Sequence, residues 1–247
     1  MEALVEGVDH VYVPMAEASA GFDVLVEQLG LPVLWPFTSF GTFSSGGVSL
    51  GSIKLEIIDS NPETPWSLAH QPPQVQGIAL RPARPVDDGY LAEVDRRSLA
   101  RSAPAHFERD GRPAWTNLYL SDFIGPSAGV FVCDYHLPEP KDLAKRRRLL
   151  QECDGGRLGV LDAVGLVIGT RDIGAARERW QRLLEPLAPV GALTWRPAVG
   201  PAITLVQGDE ERVEHLALAV RSPETARRVW HDQAGTLRGF ALRLVAG

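Results

Sequence analysis

The chain has 247 residues, a formal net charge of −6 and 45% hydrophobic residues, as is typical of one large or two small globular domains. A negative charge argues against a general nucleic-acid binder, because neutralising phosphates requires a positive surface. No apolar run approaches the roughly 18 to 20 residues of a membrane helix, and no signal-peptide pattern opens the chain, so we expect a cytoplasmic protein. Cys133 and Cys153 are too few for a disulfide framework or thiolate zinc site.

The first sixty residues predict a strand, a helix and three further strands. Apolar residues in Glu17–Leu29 recur at helical spacing, and Gly30 is placed to end that helix in the left-handed conformation. Short apolar runs separated by glycine, serine and proline predict the strands. These strands are Val8–Val13, Val33–Phe37, Thr42–Leu50 and Ile53–Ile58.

The same opening, a strand that leads into an amphipathic helix, recurs three times and predicts an internally repeated architecture. The repeats are Gly77–Leu80 with Val86–Leu99, Val164–Asp172 with Ile173–Glu185, and Glu214–Val220 with Pro223–Gln233. Ser222 and Pro223 suit the cap and first turn of the last helix. Further predicted strands are Pro113–Leu120, Ala128–His136, Ala202–Gln207 and Gly239–Val245. The basic run Lys145–Arg148 is interpreted as the solvent-exposed face of a linker helix.

Two of the apolar strands each carry an ionisable residue, His10 in the first and Glu56 in the fourth. Burying such a group costs several kcal/mol unless it is satisfied, and a bound divalent metal would satisfy both. Two ordinary alternatives stay open. His10 can be hydrogen-bonded at a sheet end, and Glu56 can pair with Lys54 on the same strand face or with an arginine.

Four segments resemble the vicinal oxygen chelate superfamily, which includes glyoxalases, bleomycin-resistance proteins and extradiol dioxygenases, and within it the glyoxalase-like domain proteins. The segments are VDHVYVPM at 8–15, SIKLEIIDSNP at 52–62, VGLVIGTRDIGAARERWQRLLEP at 164–186, and VEHLALAVRSPETARRVW at 213–230. The resemblance implies an α+β fold in which repeated βαβββ modules form curved mixed sheets, and each pair of modules makes a cup for one metal. We expect a glyoxalase-like domain at 1–140, a linker at 141–159 and a degenerate second domain at 160–247.

In this superfamily the metal ligands come from the first and fourth strands of paired modules. That implies His10 and Glu56 from the first module and Asp134 from the fourth strand of the second, whose first strand has Gly77 at the histidine position. Such a set would leave open positions for water and a chelating substrate, and it suits Fe(II), Mn(II), Ni(II) or Zn(II). Asp134 can instead be a turn or edge residue, with His136 as a substitute ligand.

The third module has Gly165 and Leu205 at the ligand positions, whereas the fourth has His215. If the fourth module docked on the first, His10, His215 and Glu56 would form the two-histidine, one-carboxylate face typical of non-haem iron oxygenases. Sequential pairing of modules is the commoner arrangement, so we take His215 as a second-tier ligand.

Several aromatic residues are candidate walls for a substrate pocket, with core packing as the alternative. The candidate pocket residues are Trp35, Phe37 and Phe43 in the first module and Trp115, Tyr119 and His136 in the second.

Two functions are therefore expected. The first is a metal-dependent isomerase, lyase or dioxygenase that acts on a small oxygenated metabolite, with Glu56 or Asp134 as general base. The second is a metal-free protein that binds or sequesters a small molecule. Either function implies a small-molecule partner and neither nucleic acid nor membrane, and a homodimer is left open.

Overall fold

A computed structural model of the chain describes residues 2–41, 43–59, 73–123, 129–136 and 143–247. In these ranges the strands form two curved mixed sheets accompanied by five α-helices, which confirms the predicted α+β fold. The strands are β1 (Val5–Met15), β2 (Val33–Ser39), β3 (Ser44–Ser49), β4 (Lys54–Asp59), β5 (Gly77–Pro82), β6 (Ala105–Arg109), β7 (Arg112–Tyr119), β8 (Gly129–Tyr135), β9 (Val160–Thr170), β10 (Thr194–Trp195), β11 (Ala202–Gln207), β12 (Arg212–Val220) and β13 (Leu242–Ala246).

The helices occupy the predicted places, with ends that differ by a few residues. They are α1 (Ala18–Asp23), α2 (Asp88–Arg96), α3 (Leu143–Glu152), α4 (Ile173–Leu184) and α5 (Pro223–Gln233). A π-helical turn at Val24–Gln28 continues α1, and Gly30 follows it with a φ of +68°, as predicted. The Ser222 hydroxyl accepts a hydrogen bond from the Thr225 N–H and caps α5. Ala128, predicted to open a strand, lies outside the described residues. No helix among the described residues is long and apolar enough to cross a membrane.

The chain divides into two compact units, each built from separate stretches of sequence. The first unit comprises the described parts of Met1–Asp9, Gly77–Lys141 and Leu166–Glu214. The second unit comprises the described parts of His10–Gln76, Asp142–Gly165 and His215–Gly247. In terms of the repeats, the first module therefore shares a unit with the fourth, and the second module shares a unit with the third.

In the second unit, the strands of the first module run in the order β2, β3, β4, β1, with β4 parallel to β1. Helix α1 covers one face of these strands, because the Phe22 ring lies where a side chain on Gly46 would project. The fourth module docks on the same set of elements. Gly235 of the fourth module lies against the Val24 side chain, and the Ala163 N–H of β9 donates to the Leu50 carbonyl at 2.9 Å.

Helix α3 corrects one interpretation of the sequence. Arg146, within the basic run assigned to a solvent-exposed face, is completely buried. Its guanidinium donates to the Ser52 carbonyl at 3.1 Å, and its own carbonyl accepts from the Ser49 hydroxyl at 3.2 Å. Because the charged Arg146 side chain is buried and hydrogen-bonded inside the second unit, charge alone did not identify the exposed face of α3.

In the first unit, β5 pairs with β8 in parallel, and β8, β7 and β6 continue as an antiparallel ladder. Helix α2 contributes Tyr90, whose buried hydroxyl donates to the Leu4 carbonyl at 3.1 Å. Burial raises the pKa of Tyr90, which keeps this hydroxyl protonated as a donor. Helix α4 packs Trp180 edge-on against Phe123, with 5.1 Å between ring centroids.

Candidate functional site

One face of the first-module sheet carries a group of ionisable side chains in the second unit. In the parallel register of β1 and β4, His10 lies opposite Lys54 and Tyr12 opposite Glu56. Side chains alternate along a strand, so these four share one face while Leu55 and Ile57 occupy the other. The Ile57 side chain faces α1. The ionisable face is therefore the one turned away from α1.

His10 and Glu56 converge on this face. His10 Nε2 lies 3.5 Å from Glu56 Oε2, and the two side chains are 6% and 13% exposed. Two neighbouring ligands of one metal ion lie about 3 to 3.4 Å apart when their bonds to the ion are about 2.0 to 2.1 Å long. The separation and the nitrogen and oxygen donors thus fit two adjacent positions on a divalent ion.

Lys54 adds a cationic side chain next to this pair, and the residue is 3% exposed. Its place opposite His10 and two residues from Glu56 matches the alternative in which Glu56 pairs with a lysine on its own strand. The spacing of Lys54 and Glu56 in the sequence indicates this pairing. It does not indicate that Lys54 is so deeply buried.

Trp35 forms a wall beside Glu56. In the antiparallel register of β2, β3 and β4, Trp35 lies opposite Gly47, and Gly47 lies opposite Glu56. A β-carbon built on Gly47 would come within 2.2 Å of the Trp35 ring, so the indole lies directly on the glycine backbone. The indole N–H also donates to the Ser45 hydroxyl at 3.3 Å. Glycine inside a strand is the sequence signal for such a close approach.

This contact predicts the effect of Gly47→Ala. The added methyl must displace the Trp35 ring, so we expect the free energy of unfolding to fall by about 1 to 3 kcal/mol. In a Trp35→Ala background the same change should be neutral or slightly stabilising, because the ring is gone and alanine reduces the entropy of the unfolded chain. Denaturant unfolding of the four proteins measures both values. An equal loss in the two backgrounds would contradict the contact.

The other aromatic candidates of the first module do not join this wall. Phe37 lies 6.1 Å from the Phe22 ring of α1, on the helix-covered side of β2. Phe43 stacks on Phe40 at 5.3 Å. Both residues therefore make the packing contacts that we considered as the alternative to a pocket role.

Asp134 belongs to the first unit and has a hydrogen-bonding role there. Its carboxylate, in a residue that is 8% exposed, accepts from the Val86 N–H at 2.9 Å just before α2. It shares a strand face with Thr116, its partner in the β7–β8 register. A backbone hydrogen bond of this kind explains a buried carboxylate without a metal.

The remaining candidates of the second module also lie in the first unit. Trp115 stacks on Phe107 at 5.0 Å, and Tyr119 contacts Phe131 at 5.4 Å. His136 is exposed, and its Nε2 lies 2.7 Å from the Thr116 hydroxyl.

His215 is a half-buried residue of β12 and lies in the second unit, which also contains His10 and Glu56. The set His10, Glu56 and His215 thus belongs to one compact unit. Within the described ranges, however, no three histidine, cysteine, aspartate or glutamate side chains form a cluster able to hold a metal ion. The structure brings together two of these three side chains.

Comparison with solved structures identifies the fold. A hypothetical protein from Staphylococcus aureus has a TM-score of 0.59 at 11% identity, covering 87% of this chain and 91% of that one. A variant of homoprotocatechuate 2,3-dioxygenase from Brevibacterium fuscum has a TM-score of 0.57 at 12% identity; it covers 96% of this chain, which spans 62% of that enzyme. A mutant 4-hydroxymandelate synthase from Streptomyces coelicolor has a TM-score of 0.59 at 18% identity, covering 93% of this chain and 75% of that one.

No protein-family model matches the sequence, and no curated protein matches it. At these identities the structural likenesses show the fold and not the activity. The chain has the fold of the vicinal oxygen chelate superfamily.

Proposed function

We propose that the chain is a metal-dependent enzyme of the vicinal oxygen chelate type, acting on a small oxygenated and aromatic metabolite. The observation that carries the proposal is the buried convergence of His10 and Glu56, 3.5 Å apart, from the first and fourth strands of one module. These are the strands from which the superfamily takes its ligands. The dioxygenase and synthase neighbours of the same fold support an enzyme over a purely structural protein.

His10 and Glu56 would hold the ion, and His215 of the same unit is the candidate third ligand. A bound divalent ion would polarise vicinal oxygens of the substrate and stabilise an oxyanion or enolate. Isomerisation, lyase chemistry and oxygenation all use that stabilisation. Asp134 is not part of the proposed site, because its carboxylate already accepts from the Val86 N–H.

The other side chains on this face would act on the substrate directly. The Trp35 indole, fixed against Gly47, offers a flat apolar wall for an aromatic ring. The buried Lys54 would place a positive charge near developing negative charge on the substrate. Glu56, as the carboxylate of the site, is the candidate for moving a proton at a substrate carbon.

A second function is favoured by the same lysine. A dication beside the Lys54 ammonium experiences electrostatic repulsion, and this repulsion is stronger in a buried site than in water. The glycines at the histidine positions of two modules, Gly77 and Gly165, also reduce the supply of ligands. Both observations favour a metal-free protein that binds an aromatic metabolite on the same face.

Titration with catechol, a simple aromatic vicinal diol, separates the two functions. Isothermal titration calorimetry is run anaerobically on protein with chelator and on protein loaded with Mn(II). The metalloenzyme predicts catechol binding at least about tenfold tighter with Mn(II), because the diol oxygens add bonds to the ion. An equal dissociation constant in both conditions would overturn that proposal and support the binding protein. Trp35→Leu is expected to weaken catechol binding in either case.

A further inference from the structure

We propose a second metal site, in the first unit, where His106 and His136 would bind a divalent transition-metal ion beside the Thr116 hydroxyl. The three residues lie on adjacent segments of one antiparallel ladder. His106 of β6 is the register partner of Thr116 of β7, and His136 directly follows β8. The His136 N–H donates to the Ala114 carbonyl at 2.8 Å, which extends the ladder to this residue.

The two imidazoles converge on one oxygen. His106 Nδ1 lies 2.9 Å and His136 Nε2 lies 2.7 Å from Thr116 Oγ1. Both ring nitrogens are therefore within hydrogen-bond distance of the same hydroxyl. Thr116 is 1% exposed, whereas both histidines are exposed, so an ion and its water ligands can reach the nitrogens from solvent.

The protons shared by His106, His136 and Thr116 can be arranged so that the ring nitrogens have lone pairs for an ion. A threonine hydroxyl has one proton and can donate to only one of the two ring nitrogens, so the other ring must donate its own N–H to the oxygen. A change of tautomer in that ring would leave both rings with a nitrogen lone pair on the side of the Thr116 oxygen. Neutral imidazole is the commonest protein ligand of transition metals.

The rigidity of the ladder favours binding. Cross-strand hydrogen bonds fix the spacing of β6, β7 and β8, so little ordering is required when the ion arrives. The nearby carboxylate of Asp134 is engaged by the Val86 N–H, so the donor set consists of imidazole nitrogen, hydroxyl and water. For such a set the affinity order should be Cu(II) above Ni(II) and Zn(II), with Mn(II) weakest.

The test is calorimetric titration with Ni(II) at pH 7.5 in a Glu56→Gln background, which weakens the site on β1 and β4. Chelation predicts that His106→Asn and His136→Asn each weaken Ni(II) binding at least about tenfold, and that the double variant is no weaker than either single one. The matched control is His231→Asn, an exposed histidine on α5 of the second unit. It should leave the Ni(II) affinity of this site unchanged.

A measurement on the unmodified protein makes the test independent of folding in the variants. Sub-stoichiometric Cu(II) should broaden the NMR ring-proton signals of His106 and His136 together, before those of His231. Independent, additive losses in the single variants, or simultaneous broadening of all exposed histidines, would overturn the proposal. Failure of catechol or Mn(II) to bind at His10 and Glu56 would leave this site unaffected.

Discussion

Arg97→Met is expected to lower the free energy of unfolding by about 3 to 5 kcal/mol, because it removes a buried charge that satisfies several backbone groups. The Arg97 side chain is 2% exposed, and its Nε donates to the Glu93 carboxylate at 2.8 Å. Its Nη1 donates to the carbonyls of Arg182 and Glu185 at 3.0 and 2.9 Å. Its Nη2 donates to the carbonyl of Glu2. One side chain thus links α2, the end of α4 and the N-terminal segment within the first unit.

Arg96 provides the matched control for this prediction. It pairs with the same carboxylate, that of Glu93, but its side chain is 55% exposed. Exposed ion pairs contribute little, so Arg96→Met should lower the free energy of unfolding far less than Arg97→Met. Equilibrium unfolding in guanidinium chloride compares the two variants with the wild type. Similar losses for Arg96 and Arg97 would show that the buried carbonyl contacts do not stabilise the fold.

Glu56→Gln is expected to abolish the stabilisation of the protein by Mn(II) bound at His10 and Glu56. At a metal concentration about 100 times the dissociation constant, binding should stabilise the wild type by about 2.7 kcal/mol. For a chain of this size that corresponds to a rise in melting temperature of about 5 to 10 °C. The glutamine variant has lost the anionic ligand, so its melting temperature should not respond to Mn(II), the ion that the proposed His106 and His136 site binds most weakly.

The stability of the protein in the presence of chelator tests the alternative, a structural role for Glu56. If Glu56 is a structural carboxylate paired with Lys54, Glu56→Gln should destabilise by roughly 1 to 3 kcal/mol whether or not metal is present. Glu27→Gln, an exposed change in the same unit, controls for the loss of one negative charge. A response to Mn(II) that persists in Glu56→Gln would contradict its role as a ligand.

The fold was predictable because its signals are local. The apolar stripe before Gly30, the Ser222 cap and the four strand-to-helix openings each depend on residues a few positions apart, and the structure has elements at all of these places. The convergence of His10 and Glu56 also follows from local rules, since strand alternation and the βαβββ order place both on one face.

The rest of the site depends on contacts that sequence spacing does not encode. The grouping of the first module with the fourth places His215 in the unit of His10 and was the less favoured of two arrangements. The partner of Asp134, the Val86 N–H, is distant in sequence. The burial of Arg146 arises from Ser49 and Ser52, and helical spacing around α3 carries no information about them.

Metal analysis of the protein purified without added metal tests the central claim most directly. Inductively coupled plasma mass spectrometry is applied to the wild type, to Glu56→Gln and to the control Glu27→Gln. We predict about one equivalent of a divalent transition metal in the wild type and in Glu27→Gln, and its loss in Glu56→Gln. An equal metal content in all three proteins, or no metal in the wild type even after incubation with Fe(II), Mn(II), Ni(II) or Zn(II), would contradict a metal site at His10 and Glu56.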